Sequence, residues 1–293
     1  MLIDQLDFAQ MYQQHMQQAQ RSRKEPEHWD KKAQKMAQTC ANPQDPYLIR
    51  FRELMDFTGA KTLLDVGCGP GSVCLALAKH FTTVIGIDYS QGMLDAAQER
   101  AKAMDINNVQ FEQLAWEDNW AQLPKVDIAV ASRSTLVDDL KTALLKLNRQ
   151  ANLRVYTTHT VNPTFIDENI IQFIGREVVR LPTYIYAVNI LHQMGINARV
   201  DFINSPDKGG FEQVEDFVES VNWSLKNLSD EEIAKLHQYY DLQLASGKRI
   251  PYPARNWAMV SWDVVDEMSL TLWFIYPIVL STSYFLMIFN MAI

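Results

Sequence analysis

The chain has 293 residues, of which 47% are hydrophobic and 21% charged, and its formal net charge at pH 7 is −8. This composition is that of an ordinary globular protein, while the acidic balance disfavours a nucleic-acid partner, because a negative surface repels a phosphate backbone. The three cysteines have no CxxC spacing, which disfavours a disulfide framework or a metal site and favours the cytoplasm.

The N-terminal part, residues 1–58, is polar and is predicted to form a helical cap. Its first residues, MLIDQLDFAQMYQQ, lack the basic and apolar regions of a signal peptide, so none is expected. The cap contains His28, Trp29 and Asp30. Two interpretations of these residues stay open: closure over a bound cofactor, or packing of the Trp29 ring on the domain.

Between residues 59 and 263, short apolar segments alternate with helical ones. The predicted strands cover residues 61–66, 83–88, 109–114, 126–131, 153–158, 198–203 and 256–262. Because parallel strands need crossover connections, this alternation predicts a doubly wound α/β sheet with helices on both faces. A helical insertion is predicted over residues 205–253, before the last strand.

A glycine-rich turn follows the first predicted strand and contains Gly67, Gly69 and Gly71. A dinucleotide-binding turn has its third glycine one position later, where this chain has Ser72, a predicted helix cap. Asp65 lies just before the turn, where its carboxylate would repel a pyrophosphate and attract an ammonium or a sulfonium. S-adenosylmethionine carries both cations and no phosphate, so this turn favours S-adenosylmethionine. A plain strand-to-helix connection is the alternative.

Asp88 ends the second predicted strand. An acidic residue at this place accepts hydrogen bonds from ribose hydroxyls in nucleotide-binding folds, and the alternative is a cap for the next helix. Tyr89 and Met93 follow it and are expected either to flank an adenine or to belong to the core.

Three segments together resemble the first three motifs of class I S-adenosylmethionine-dependent methyltransferases: LLDVGCGPG, VIGIDYSQGML and VQFEQLAWED. The resemblance covers residues 60–160 and implies a Rossmann-like, mostly parallel seven-stranded sheet whose last strand is antiparallel. It also implies that S-adenosylmethionine is the cofactor, with its methionine part near Asp65, its ribose on Asp88 and its adenine near the turn at 115–117. Many members have an aspartate in that turn, and here Glu117 or backbone groups are expected to replace it. The implied cofactor-binding residues are Asp65, Gly67, Cys68, Gly69, Gly71, Asp88, Tyr89, Met93, Trp116 and Glu117.

Two candidate catalytic residues, Arg133 and His159, follow the fourth and fifth predicted strands, at the sheet edge where ligands bind in such folds. Arg133 is a candidate for holding a substrate carboxylate or phosphate, and an ion pair with Asp138 or Asp139 is the alternative. His159 is a candidate general base, and a structural role is the alternative. The Asn-Pro-Pro-Tyr motif of amino-methylating family members is absent here, which disfavours methylation of bases or glutamine.

Residues 264–293 form a hydrophobic tail, in which residues 268–293 carry no charge. That length suffices for a membrane-spanning helix, which predicts a cytoplasmic catalytic domain anchored to the inner membrane. Two alternatives stay open: a helix packed on the domain or on a second copy, and a segment that is not native to the family. The acidic residues before the tail give the anchor no support from the positive-inside rule.

The functional hypothesis is therefore methyl transfer from S-adenosylmethionine to an acceptor held beneath residues 1–58 and 205–253. A small-molecule acceptor is favoured, and an anchored enzyme would also suit a lipophilic one. One alternative is a non-catalytic module that binds adenosylmethionine or a nucleoside at a membrane. Another is a nicotinamide-dependent oxidoreductase, which Asp65 and the position of Gly71 disfavour.

Overall fold

The predicted strands form one sheet in the computed structural model, which describes residues 3–19, 25–39, 42, 44–207 and 209–266. They are β1 Thr62–Val66, β2 Thr83–Asp88, β3 Val109–Gln113, β4 Val126–Ala131, β5 Ala151–Thr160, β6 Arg199–Ile203 and β7 Trp257–Asp263. Their order in the sheet is β3-β2-β1-β4-β5-β7-β6, and β7 is antiparallel to both of its neighbours. The prediction of a mostly parallel seven-stranded sheet is confirmed.

Helices precede the sheet, cover it and extend beyond it. They are α1 Phe8–Gln18, α2 Pro26–Asp30, α3 Ala33–Thr39, α4 Pro46–Glu53, α5 Ser72–Leu77, α6 Gln91–Ala103, α7 Leu140–Gln150, α8 Glu168–Phe173, α9 Tyr184–Gln193, α10 Val214–Leu225 and α11 Asp230–Ala245. Two local predictions were wrong. Ser72 is the first residue of α5, and its cap is Gly71, whose φ is 75°. The helix predicted from residue 136 begins at Leu140, because the Asp139 side chain accepts a hydrogen bond from the Thr142 N–H and caps the helix there.

Strand β1 shows how the two faces of the sheet are buried. Leu63 and Leu64 are both inaccessible to solvent but belong to different apolar clusters, because successive side chains of a strand point to opposite faces. Helices α1, α7 and α9 cover the Leu64 face, and helices α4, α5 and α6 cover the Leu63 face. Strands buried on both faces are apolar along their length, which explains why the sequence shows them as apolar runs.

The N-terminal helices do not form one cap. Helix α1 packs on one face of the sheet, α4 packs on the other, and α2 and α3 pack on α6. The N-terminal segment therefore contacts the helices α5, α6 and α7, which follow β1, β2 and β4.

A third apolar cluster belongs to α8, α10 and α11 and includes Ile170, Phe217 and Leu236. The predicted helical insertion comprised residues 205–253 only. In the structure, helix α8, from an earlier part of the chain, packs with the helices of that insertion. The guanidinium of Arg176 forms two hydrogen bonds with the carboxylate of Glu232 and so joins the end of α8 to α11.

The prediction of a membrane anchor falls on residues that the structure does not describe, since the described part ends at residue 266. Among the helices that it does describe, none combines the length and the apolar character needed to cross a membrane. Cys68 and Cys74 are buried and free, whereas Cys40 lies outside the described residues.

Candidate active site at the carboxyl edge of the sheet

The glycine turn after β1 has a backbone that only glycines adopt easily. The φ angles of Gly67, Gly69 and Gly71 are 68°, 54° and 75°, in the left-handed region. The N–H groups of Gly67 and Cys68 both donate to the Ile87 carbonyl, at 2.8 and 3.0 Å, and hold the turn against β2. The turn is thus a fixed platform between the ends of β1 and β2.

One side of this platform is closed and the other is open. The Ser134 side chain closes it, since a Cβ atom on Gly67 would lie 2.5 Å from the Ser134 Cβ. The Ser134 hydroxyl also donates to the Val66 carbonyl at 2.7 Å. By contrast, apart from Gly69 and its two chain neighbours, no described residue has an atom within 4 Å of the place where a Cβ on Gly69 would be. A ligand can therefore approach the backbone at Gly69.

Asp88 joins this platform to the start of α6. Its Oδ2 accepts from the Gly69 N–H and its Oδ1 from the Ser90 N–H, both at 2.9 Å. Burial raises the pKa of Asp88, and these N–H donors oppose the rise. The cap of α6 is Ser90, whose hydroxyl accepts from the Met93 N–H, so the predicted alternative of a capping Asp88 is wrong. The Tyr89 N–H also donates to this carboxylate, so three backbone donors leave it part of its accepting capacity for a ligand hydroxyl.

Asp65 supplies a second buried carboxylate. It is 1% exposed, and its Oδ2 accepts from the Cys74 N–H at 3.1 Å. Burial raises its pKa to about 7; the Cys74 N–H opposes this rise, and the nearby Asp88 carboxylate adds to it. Two carboxylates in one poorly solvated place favour a cation between or beside them.

The sequence did not decide the role of Asp30, and the structure places its side chain beside this site. Its Oδ1 accepts from the Ser90 hydroxyl at 2.6 Å and from the Gly92 N–H at 2.9 Å. A Cβ on Gly92 would lie 2.8 Å from the Asp30 Cα, so helix α2 docks directly on the first turn of α6. No local pattern reveals this contact, because it depends on the path of the N-terminal segment.

The residues predicted to flank an adenine lie in different surroundings. Met93 is buried in an apolar cluster with residues of α3, which agrees with its interpretation as a core residue. The Trp29 ring packs against the same cluster, which agrees with its interpretation as a ring packed on the domain. Tyr89 is half-buried beyond the end of β2. The Trp116 indole donates to the Ser134 carbonyl at 3.2 Å and ties the turn after β3 to the segment after β4. Glu117 is exposed in the same turn.

A second group of residues surrounds the Tyr47 side chain at the carboxyl ends of β4 and β5. Sequence analysis did not identify Tyr47. The Tyr47 hydroxyl is 2.7 Å from the Ser132 Oγ and 2.9 Å from the Thr158 Oγ1. The guanidinium carbon of Arg133 lies 4.3 Å from the centre of the Tyr47 ring. Helix α4 thus presents the face of the Tyr47 ring to the Arg133 guanidinium, as in a cation–π contact.

The predicted alternative for Arg133, an ion pair with Asp138 or Asp139, is not formed. Asp139 caps α7, and within the described parts of the chain no carboxylate forms an ion pair with Arg133. The Arg133 side chain is exposed, and its backbone has a φ of 58°. The guanidinium is therefore held at the edge of the sheet with its N–H groups available.

His159 is 6% exposed, and both of its ring nitrogens face hydroxyl groups. Nδ1 is 3.1 Å from the Thr135 Oγ1, and Nε2 is 2.9 Å from the Thr157 Oγ1. Burial lowers its pKa to about 3, so the ring is neutral at physiological pH. These contacts favour the structural role over that of a general base.

A small cavity of about 10 Å³, open to solvent, lies beside these residues. Its lining includes Tyr12, Arg133, Thr135, His159, Thr183 and Trp257. Trp257 reaches this edge because β7 runs opposite to β5 and begins where β5 ends. The carboxylates near β1 and β2 and the pocket near β4, β5 and β7 thus occupy neighbouring parts of one edge.

Comparisons with known proteins agree with this arrangement. A family model described as "Methyltransferase domain" matches residues 57–166. An uncharacterized protein from Haemophilus influenzae is 38% identical over 266 residues, which are 90% of this chain and 99% of that protein.

Solved structures show the same fold at low sequence identity. A putative methyltransferase from Bacillus halodurans is 12% identical, with a TM-score of 0.53 over 75% of this chain and 99% of the other. The YcgJ protein from Bacillus subtilis is 14% identical, with a TM-score of 0.50 over 75% of this chain and 98% of the other.

Proposed function

Because this chain belongs to one family with the Haemophilus influenzae protein and carries a class I S-adenosylmethionine-dependent methyltransferase domain, we propose that it methylates a small-molecule acceptor. S-adenosylmethionine is the methyl donor. One observation carries the proposal: the Asp88 carboxylate holds the glycine turn and the start of α6 together, beside a buried Asp65.

The residues present fit this donor. Asp88 has accepting capacity for a ribose hydroxyl, and the open side of Gly69 lets the ligand approach the backbone. The Asp65 carboxylate favours the cationic methionine part. Residues 67–71 themselves include no lysine or arginine, and the Arg100 side chain, which reaches the turn, donates to the Pro70 carbonyl. When bound, S-adenosylmethionine supplies a methyl group on a positively charged sulfur.

The acceptor belongs in the pocket beside Arg133. That pocket lies next to the donor site along the same edge, which suits an in-line approach of a nucleophile to the methyl group. Methyl transfer often needs little beyond this alignment. The proposal therefore does not need His159 as a general base, and both of its ring nitrogens already contact threonine hydroxyls. The chain's own part is to bind both molecules, orient them and exclude water.

A calorimetric titration of the full chain with S-adenosylhomocysteine and, separately, with NADH tests the proposal. We expect micromolar affinity for the first ligand and no detectable heat with the second. Formation of S-adenosylhomocysteine from S-adenosylmethionine is then followed with pools of small molecules. Binding of NADH in place of S-adenosylhomocysteine would refute the proposal that S-adenosylmethionine is the donor. Donor binding without turnover on any pool would refute the proposal that the protein is an enzyme.

The high pKa of Asp65 predicts a pH-dependent affinity. The carboxylate is largely protonated at pH 5.5 and largely ionised at pH 7.5, and only the ionised form attracts the ligand ammonium. We expect S-adenosylhomocysteine to bind about tenfold more tightly at pH 7.5 than at pH 5.5. The variant Asp65→Asn should show a smaller dependence, and so should 5′-methylthioadenosine, which has no ammonium group, with the unmodified chain. Asp88, whose pKa burial also raises, remains in both cases. An equal dependence in Asp65→Asn would contradict the assignment.

A further inference from the structure

Asp30, the last residue of helix α2, adds a third carboxylate to the side of the site that binds the methyl donor. Its Oδ1 accepts hydrogen bonds from both the Ser90 hydroxyl and the Gly92 N–H. Its other oxygen, Oδ2, accepts no hydrogen bond from the residues that the structure describes. Asp30 is exposed, so this oxygen is accessible to a ligand.

Ser90 links the carboxylates of Asp30 and Asp88. Its hydroxyl donates to the Asp30 Oδ1 at 2.6 Å, and its N–H donates to the Asp88 Oδ1 at 2.9 Å. Burial raises the pKa of Asp88, and the charge of Asp30 adds to this rise. The hydrogen bonds from Ser90 and Gly92 lower the pKa of Asp30 itself, so it is ionised at neutral pH. The two carboxylates are therefore neighbours, joined by hydrogen bonds from one residue.

Packing fixes the position of Asp30. Its backbone lies so close to α6 that a Cβ on Gly92 would be 2.8 Å from the Asp30 Cα. The chain continues into α3, where Ala33 is buried in an apolar cluster shared with α6. Between the two helices, the Lys32 Nζ lies 4.5 Å from the centre of the Trp223 ring on α10, a cation–π contact. The fold thus holds the Asp30 carboxylate beside the first turn of α6.

Asp88 alone has little accepting capacity left for a ribose. Three backbone N–H groups, those of Gly69, Tyr89 and Ser90, already donate to its carboxylate. A carboxylate has about four acceptor sites, so about one remains for a ligand. The ribose of S-adenosylmethionine carries two neighbouring hydroxyls, and each of them can donate one hydrogen bond. A second acceptor beside Asp88 would serve the other hydroxyl.

We propose that Asp30 is that second acceptor, so that Asp88 binds one hydroxyl of the ribose and the Asp30 Oδ2 binds the other. This inference rests on the proposed function, because it adds a binding residue to the same S-adenosylmethionine site. Neighbouring carboxylates repel each other, and a diol that donates one hydrogen bond to each of them reduces that repulsion. The N-terminal segment then contributes to binding of the methyl donor through a direct contact.

Calorimetry of the full chain with S-adenosylhomocysteine and with its 2′-deoxy and 3′-deoxy forms tests this assignment. With the unmodified chain, we expect each missing hydroxyl to weaken binding about tenfold, because a hydrogen bond to a charged group is lost. In Asp30→Ala, one of these two penalties should fall below threefold while the other persists. Asp30→Asn keeps an oxygen for the Ser90 and Gly92 donors and so preserves the docking of α2, and it should reduce the same penalty.

Glu99→Gln is the matched control, because it removes an equal charge from α6 where the Glu99 carboxylate accepts from the Gln34 side chain of α3 at 3.5 Å. It should leave the affinity and both penalties unchanged. If all three ligands weaken equally in Asp30→Ala, so that both penalties persist, Asp30 only anchors α2 and the proposal is overturned. Loss of both penalties would also overturn it, since Asp30 would then act through Asp88. Failure of the unmodified chain to bind S-adenosylhomocysteine would instead refute the proposed function, which keeps the two failures distinct.

Discussion

Replacement of Gly67 by alanine is expected to remove cofactor binding and to lower the free energy of unfolding by about 2–5 kcal/mol. The new Cβ would lie 2.5 Å from the Ser134 Cβ and 2.9 Å from its Oγ, and the backbone φ of 68° is itself unfavourable for alanine. Ser134 cannot move freely, because its hydroxyl is bonded to the Val66 carbonyl and its own carbonyl accepts from the Trp116 indole. Urea unfolding and titration with S-adenosylhomocysteine measure the two effects.

Gly69→Ala is the matched control for this change. Its φ of 54° imposes a similar backbone cost, but apart from Gly69 and its two chain neighbours no described residue has an atom within 4 Å of the new Cβ. We therefore expect a stability loss of only about 1 kcal/mol, with weaker ligand binding because the methyl group enters the open side of the turn. A second variant, Gly67→Ala combined with Ser134→Gly, removes the collision and should recover part of the lost stability. If Gly67→Ala were as stable as Gly69→Ala, the collision with Ser134 would not be the cause.

The variant Asp88→Ala is expected to weaken S-adenosylhomocysteine binding at least about 100-fold. It removes the acceptor for a ribose hydroxyl, and it also removes the bonds that hold the Gly69 and Ser90 N–H groups. A hydrogen bond to a charged group contributes about 1.5–3 kcal/mol, so the loss of two such bonds accounts for an effect of this size. Calorimetry with S-adenosylhomocysteine measures the loss.

Asp95→Ala is the control for Asp88→Ala, since Asp95 lies exposed on helix α6. Among the residues that the structure describes, its carboxylate accepts a hydrogen bond from the Gln91 side chain alone. Its affinity should equal that of the unmodified chain. Unfolding curves of both variants establish that the chains are folded at the assay temperature. A folded Asp88→Ala whose dissociation constant stays within threefold of the original would show that Asp88 does not hold the donor.

Much of the donor side of the site could be predicted from local sequence. Asp65, Gly67 and Asp88 belong to short segments in which a strand, a turn and a helix follow one another within a few residues. Apolar runs identify strands that are buried on both faces, and glycines at fixed spacing identify a turn with positive φ angles. Both signals depend on neighbouring residues only, and the strand bounds and the mostly parallel sheet were accordingly predicted well.

The surroundings of Arg133 and of the first turn of α6 were decided by tertiary structure. Tyr47 meets Thr158 across 111 positions of the chain, and Asp30 meets Ser90 across 60. The N-terminal segment, predicted as one cap, instead divides its helices among both faces of the sheet and helix α6.

Burial also separated residues that look alike in sequence. Arg133 and His159 were both predicted to follow strands at the same edge, but His159 lies within β5, where threonine hydroxyls enclose its neutral ring. The Arg133 guanidinium stays exposed on an aromatic ring. The amino-acid sequence by itself thus determined the strands, the glycine turn and the positions of Asp65 and Asp88 at the strand ends, because these depend on periodicity and local backbone geometry. Only the folded chain decided which distant side chains lie beside Arg133, because those contacts depend on how helices pack across the edge of the sheet.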